Sequence, residues 1–201
     1  KVSADFKINP ADYYKENGGI IFANPNAPTS IYEPLSFIED IMEHNSDSVV
    51  IVDEAYIDFS QQKSLRQAVL KCPNLIVLHT MSKAWGQAAI RLGMAFASED
   101  IVTIMNKVKY PYNINTLTQQ QAISALRDQE QTDKQVKFLI QERQRMSAAI
   151  RMLPLCENVY PSDANFLLVK TLNAQSIYDT LVKRGIIVRN RNKITLCDNC
   201  L

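Results

Sequence analysis

Cysteine is scarce. Cys72, Cys156, Cys197 and Cys200 are the only four in 201 residues, too few for a disulfide scaffold in a chain of this length. Histidine is scarcer still, with only His44 and His79. The C-x-x-C of Cys197 and Cys200 therefore finds no second ligand pair at a zinc-like spacing and reads as two ordinary thiols, with no metal expected. Charge of one sign is not in excess: the formal net charge is +1 and the basic residues are dispersed. This leaves no electrostatic footprint for nucleic acid or an acidic membrane surface. No apolar run approaches the length of a membrane span, and the N-terminus lacks the layout of a signal peptide, so a cytoplasmic protein is expected. Internal repeats and low-complexity segments are absent too. The first residue is Lys1 rather than methionine, as expected of a piece of a longer chain.

What is present is an ordinary globular composition. With 46% hydrophobic and 21% charged residues, the chain can bury a sizeable core, and its length suits one large domain or one domain and part of another. Ile20–Ala23 is a short apolar run that stops at the turn-forming Asn24-Pro25-Asn26-Ala27-Pro28-Thr29. From Pro34 to about Glu43, Leu35, Ile38, Ile41 and Met42 recur at helical spacing. Ser48–Val52 reads as a strand that runs into Asp53-Glu54-Ala55-Tyr56. Ser64–Lys71 reads as a short helix, and Asn74–His79 as a buried strand. Short apolar strands alternating with helices predict an α/β fold, with a parallel sheet covered on both faces.

Leu92–Ala97 predicts a further strand and Glu99–Lys109 a helix capped by Ser98. Thr118 to about Met152 predicts one or two long helices with a break near Asp128–Thr132. Beyond Pro154, Phe166–Val169 predicts a strand, Ala174–Arg184 a helix, and Gly185–Arg189 a helix stop followed by a strand. The expected organisation is 1–125 as part of a large domain, 126–153 as a connecting helix, and 154–201 as part of a small α+β domain.

In open α/β sheets, ligands bind at the carboxyl ends of strands. A parallel sheet brings Asn24–Asn26, Asp53–Tyr56 and Thr80-Met81-Ser82-Lys83 to one edge. A single Ser-Lys pair is commonly a solvated loop; the combination is what carries weight. Lys83, partly buried at a strand end, can form a Schiff base while Ser82 and Arg91 hold a phosphate. Asp53, at the end of a buried strand, calls for a cationic partner. A protonated pyridine nitrogen is such a partner, so the set suits pyridoxal phosphate. Tyr56 can hydrogen-bond the ring hydroxyl, and Thr80 adds a hydroxyl.

Asn24-Pro-Asn-Ala-Pro-Thr29, Val52-Asp-Glu-Ala-Tyr56, Thr80-Met-Ser-Lys-Ala-Trp-Gly86 and Arg91-Leu-Gly93, in this order and at these separations, resemble the class I/II aminotransferases of fold type I. Val52-Asp-Glu-Ala-Tyr-Ile-Asp-Phe59 and Ser162-Asp-Ala-Asn-Phe-Leu-Leu168 resemble the wording of the histidinol-phosphate aminotransferase family within them. The likeness covers nearly the whole chain.

The resemblance implies a mostly parallel large-domain sheet with helices on both faces, a small α+β C-terminal domain, and a homodimer. It implies Lys83 as the Schiff-base lysine, Asp53 on the pyridinium nitrogen, Tyr56 on the ring hydroxyl, and Ser82 and Arg91 on the phosphate. Arg189 is implied as one of two arginines that bind a substrate phosphate; the substrates would be histidinol phosphate and the glutamate/2-oxoglutarate pair. The second arginine, a glycine-rich phosphate loop and a ring-stacking aromatic are implied to lie beyond the two ends. Ala27 stands where the family often has an asparagine on the ring hydroxyl, leaving Asn26, Asn24 or Tyr56 alone for that contact. Ser30 stands where glycine is frequent. An aromatic aminotransferase, a phosphothreonine decarboxylase, and a non-catalytic aminotransferase-like regulatory module remain open alternatives.

Overall fold

The computed structural model describes residue 3 and residues 5–201. Four strands form one sheet in the order β1-β2-β3-β4: β1 (Ile20–Ala23), β2 (Val50–Asp53), β3 (Leu75–Thr80) and β4 (Gly93–Phe96). The first three are parallel, with Ala23 opposite Asp53 and Asp53 opposite Leu78. β4 is antiparallel to β3, with Thr80 opposite Gly93. Residues 81–92, which include a 3₁₀ turn over Ala88–Ile90, bring the chain back to the same end of the sheet, so that β4 runs antiparallel to β3.

Helix α1 (Leu35–Glu43) forms because its apolar residues fall on one stripe, and Phe37, Ile38, Ile41 and Met42 are buried. They pack with Ile20, Val50, Val52, Leu65, Val69, Leu75 and Val77 into the main core. Each such side chain contributes about 1.5–3 kcal/mol when fully buried. Along β2 burial alternates, with Val50 and Val52 inside and Ile51 and Asp53 half-exposed, so the strand's two faces differ.

The helix expected over Ser64–Lys71 is a 3₁₀ helix over Leu65–Leu70, started by Ser64, whose side chain accepts from the Arg66 N–H. Helix α2 (Glu99–Val108) follows Ser98, but the serine hydroxyl donates to the Pro73 carbonyl at 3.0 Å instead of capping. Helices α3 (Thr116–Arg127) and α4 (Gln129–Arg151) meet at Asp128, inside the expected break.

Past α4 the sequence reading needs correction. A strand β5 (Cys156–Val159), not foreseen, pairs antiparallel with β6 (Val169–Thr171), so the strand expected over Phe166–Val169 begins only at its last residue. Helix α5 covers Ala174–Lys183. Gly185, at φ +76, ends it as expected, yet residues 186–190 form no strand. A strand needs an edge to pair with, and β6 has given its free edge to Cys200–Leu201: Val169 and Leu201 exchange both backbone hydrogen bonds, at 3.0 and 2.9 Å.

Segment 160–166 folds back onto the loops after β1 and β2. Ser30 is fully buried at φ +58, a left-handed conformation that glycine adopts without strain. Its hydroxyl reaches the carbonyls of Thr29 at 2.6 Å and Pro161 at 3.1 Å, and its own carbonyl accepts from Asp163 N–H at 2.8 Å. Ser60 donates to the Asp163 carboxylate at 2.9 Å.

Candidate active site

The register of the sheet builds the site. Asp53 is the last residue of β2, and its Oδ1 accepts from the Ala55 N–H at 3.0 Å. Lys83 follows the end of β3 by three residues, in a turn closed by Gly86 N–H to Lys83 O (3.1 Å) and Gln87 N–H to Met81 O (2.9 Å). Thr80 faces Gly93 and Met81 N–H donates to Leu92 O at 3.2 Å, so Ser82 and Arg91 are the next residues on the two segments where the paired strands part. Arg91 has φ +54, and its Nη1 donates to Ala88 O at 2.9 Å. A left-handed arginine is a strained backbone, and such strain gathers at functional sites.

The Lys83 ammonium lies 4.9 Å from the centroid of the Tyr56 ring. Phe166 meets the same ring edge-on, with centroids 5.1 Å apart. Lys83 is exposed, a correction to the partial burial expected at the end of a buried strand, because the turn after β3 carries it clear of the core. Among the described residues neither Lys83 nor Arg91 pairs with a carboxylate, and Asp53 pairs with no cation. Cations without an ion-pair partner thus stand after β3 and a carboxylate without one at the end of β2, each making a local backbone hydrogen bond at most. Ser82 and Arg91 offer donors suited to a phosphate, Lys83 a primary amine beside them, and Asp53 a carboxylate suited to a protonated ring nitrogen.

The remaining sequence candidates have structural employment. Asn24 is fully buried; it donates to Glu33 O at 2.9 Å and accepts from Glu33 N–H at 2.7 Å. Asn26 donates to Thr29 Oγ1 at 2.8 Å and lines a cavity of about 500 Å³ with Phe6, Ile31, Glu33 and Cys197, a lining that includes none of Asp53, Lys83 or Arg91. Thr80 Oγ1 accepts from the Ser82 N–H at 3.1 Å and so shapes the turn. Ala27 is exposed. Arg189 is exposed and unpaired among the described residues. Cys197 and Cys200 are buried with Phe6 and Leu168, burial pushes the Cys200 thiol up to about 11, and no metal-binding cluster exists among the described residues. Such thiols are inert.

Sequence reasoning missed the layer beneath. Glu54, one residue past Asp53, is fully buried and accepts from Ser64 Oγ at 2.5 Å and Leu65 N–H at 2.8 Å. The alternation of a strand sends consecutive acids to opposite sides, and that was the available signal. Buried His79 places Nε2 3.4 Å from Asp58 Oδ2, which has no hydrogen-bond partner. Phe166 lay within a quoted motif, but no periodicity marked its contact with Tyr56.

Burial raises the Glu54 carboxyl above its ordinary value, against the hydrogen bonds from Leu65 and Ser64. A raised folded value means a stabilising contribution complete below the ordinary carboxylate range and lost as pH rises through the raised value. Glutamine can accept from Leu65 and donate to Ser64 without ionising. Glu54→Gln is therefore expected to gain Tm relative to wild type from about pH 4 to pH 7; a difference that stays flat across that interval would contradict a titrating Glu54.

A family model described as aminotransferase class I and II matches residues 2–201. Histidinol-phosphate aminotransferase of Bacteroides fragilis is 50% identical over 199 residues, covering 99% of this chain and 57% of the relative. Among solved structures, the histidinol-phosphate aminotransferase from Clostridium acetobutylicum superposes with a TM-score of 0.89 at 21% identity, over 99% of this chain and 63% of that one. The one from Sinorhizobium meliloti, in complex with pyridoxal-5'-phosphate, gives a TM-score of 0.78 at 23% identity, over 91% of this chain and 51% of that one. The two structural likenesses speak for the fold. The chain spans about half the length of the curated relatives it matches. A match over nearly every residue, with Lys83, Asp53 and Arg91 on the expected sheet edge, means that the chain belongs to the class I and II aminotransferases.

Proposed function

We propose that the whole protein transfers the amino group between histidinol phosphate and the glutamate/2-oxoglutarate pair, using pyridoxal phosphate. The observation that carries this reading is Lys83 lying 4.9 Å over the Tyr56 ring, between an unpaired carboxylate on β2 and unpaired donors after β3. Identity of 40–50% to relatives named histidinol-phosphate aminotransferase supports the choice of substrate.

Pyridoxal phosphate, when bound, supplies an electron sink for charge developing at the substrate α-carbon. Asp53 keeps the ring nitrogen protonated, and Ser82 and Arg91 hold the phosphate, the arginine through its planar fork. Tyr56 takes the ring hydroxyl without help from Asn24, whose amide is committed to Glu33; Asn26 donates to Thr29 and lines a different cavity. Lys83 would hold the group through its amine and would be the base that moves a proton at the substrate α-carbon. Arg189 binds the substrate phosphate. We place residues 1–125 in the large domain and 154–201 in the small one, in a cytoplasmic homodimer.

The test of the cofactor is the visible absorption of the full-length protein before and after borohydride. A reducible band in wild type that is absent from Lys83→Ala is the expected result; no reducible band in wild type refutes the assignment. The test of the substrate is Arg189→Ala. Losing a charge-assisted contact worth about 1.5–3 kcal/mol raises KM for histidinol phosphate by roughly 10- to 150-fold, with little change for glutamate. Equal effects on both substrates would remove histidinol phosphate from the reading.

A further inference from the structure

Arg143, on α4, is half-buried and forms no ion pair among the described residues. Its Nη1 instead donates to two backbone carbonyls from distant parts of the chain, Phe59 O at 3.1 Å and Ala164 O at 2.5 Å. Asp163, the nearest acid that acts on it, is engaged by Ser60. Phe59 stands three residues after Tyr56, and Ala164 two residues before Phe166; both are fully buried. The guanidinium therefore clamps together the two segments whose aromatic rings meet at 5.1 Å and 82°.

We propose that Arg143 is a positioning residue for the active site: by tying Phe59 and Ala164 to α4, it holds the Phe166–Tyr56 ring pair in place beneath the Lys83 ammonium. It touches neither substrate nor cofactor, and acts through Tyr56. The same clamp ties the C-terminal half of α4 to the 3₁₀ turn Ile57–Phe59 that follows β2. The proposal rests on the reading of Lys83 and Tyr56 as the cofactor's neighbours.

The decisive comparison uses full-length wild type, Arg143→Met, Arg143→Lys and Phe166→Leu. Arg143→Met keeps the length of the side chain and removes both bonds. Displacing the ring by a fraction of an ångström to 1 Å lowers kcat by about 10- to 100-fold, with KM for glutamate changed less than threefold. The induced circular dichroism of the cofactor's visible band changes in intensity, because that signal reports the tilt of the ring. In cofactor-free protein, amide exchange over residues 160–166 rises. Arg143→Lys recovers part of each signal, since an ammonium can meet the carbonyls but lacks the planar fork. Phe166→Leu reproduces the dichroism change with the clamp intact, and it decides the matter if Arg143→Met does not fold. A lower Tm with wild-type dichroism and kcat in Arg143→Met, or wild-type dichroism in Phe166→Leu, overturns the proposal. A wild type without a reducible band instead removes the function on which it rests.

Discussion

Lys83→Ala is expected to lower kcat of the full-length enzyme by at least about 10⁴-fold. The lysine has two duties in the proposed reaction, covalent anchoring and proton transfer, and general acid–base catalysis alone is worth about 10²–10⁴. The fold should barely respond. Lys83 is exposed, and its one close partner is the Tyr56 ring at 4.9 Å; a cation–π contact at an exposed site contributes about 0.5–1 kcal/mol. Activity and stability should thus separate cleanly, with denaturant midpoints nearly unchanged while single-turnover rates collapse. A small primary amine added to Lys83→Ala should restore part of the proton transfer, as it supplies the missing base without the tether. Retention of more than about one hundredth of wild-type kcat would place the essential amine elsewhere.

The sheet and its active edge were legible because each apolar strand ends at a polar cluster. Val50 and Val52 go inside, and Asp53 is carried to the strand's end by chain continuity. Lys83 and Arg91 are legible as types of residue, but their placement at one end of the sheet depends on β4 running antiparallel to β3, a pairing with no local signature. The second layer was hidden for a different reason. Asn24 and Thr80 were read as ligands because a sequence shows a polar side chain without showing what satisfies it; Glu33 and Ser82 backbone groups do so here. Glu54 was passed over beside Asp53 because adjacency in sequence conceals opposite directions on a strand. The C-terminal part was least legible. Residues 186–190 have strand-like composition, yet strand formation depends on a free edge, and that of β6 is occupied by Leu201. Arg143 carries no local signature at all: one more charged residue on a long polar helix, it acquires meaning only from two carbonyls 84 and 21 residues away.

Asp53→Asn is the second large effect, and it isolates charge from shape. The Asp53 carboxylate accepts from Ala55 N–H at 3.0 Å through Oδ1, a bond that an asparagine oxygen can keep. The turn after β2 should therefore survive, with Tyr56 still in reach of Lys83. What is lost is the negative charge opposite a ring nitrogen that must stay protonated to draw electrons from the substrate. Removing one partner of such a pair costs up to about 3–5 kcal/mol, which corresponds to a kcat lower by roughly 10²- to 5 × 10³-fold. The cofactor should also bind more weakly, so the comparison belongs at saturating pyridoxal phosphate, with occupancy read from the visible band. Under those conditions Asp53→Glu should fall between wild type and Asp53→Asn, because it restores the charge at the wrong distance. If fully loaded Asp53→Asn works within tenfold of wild type, Asp53 is a turn-forming residue of β2 and the ring nitrogen must find its counter-charge elsewhere.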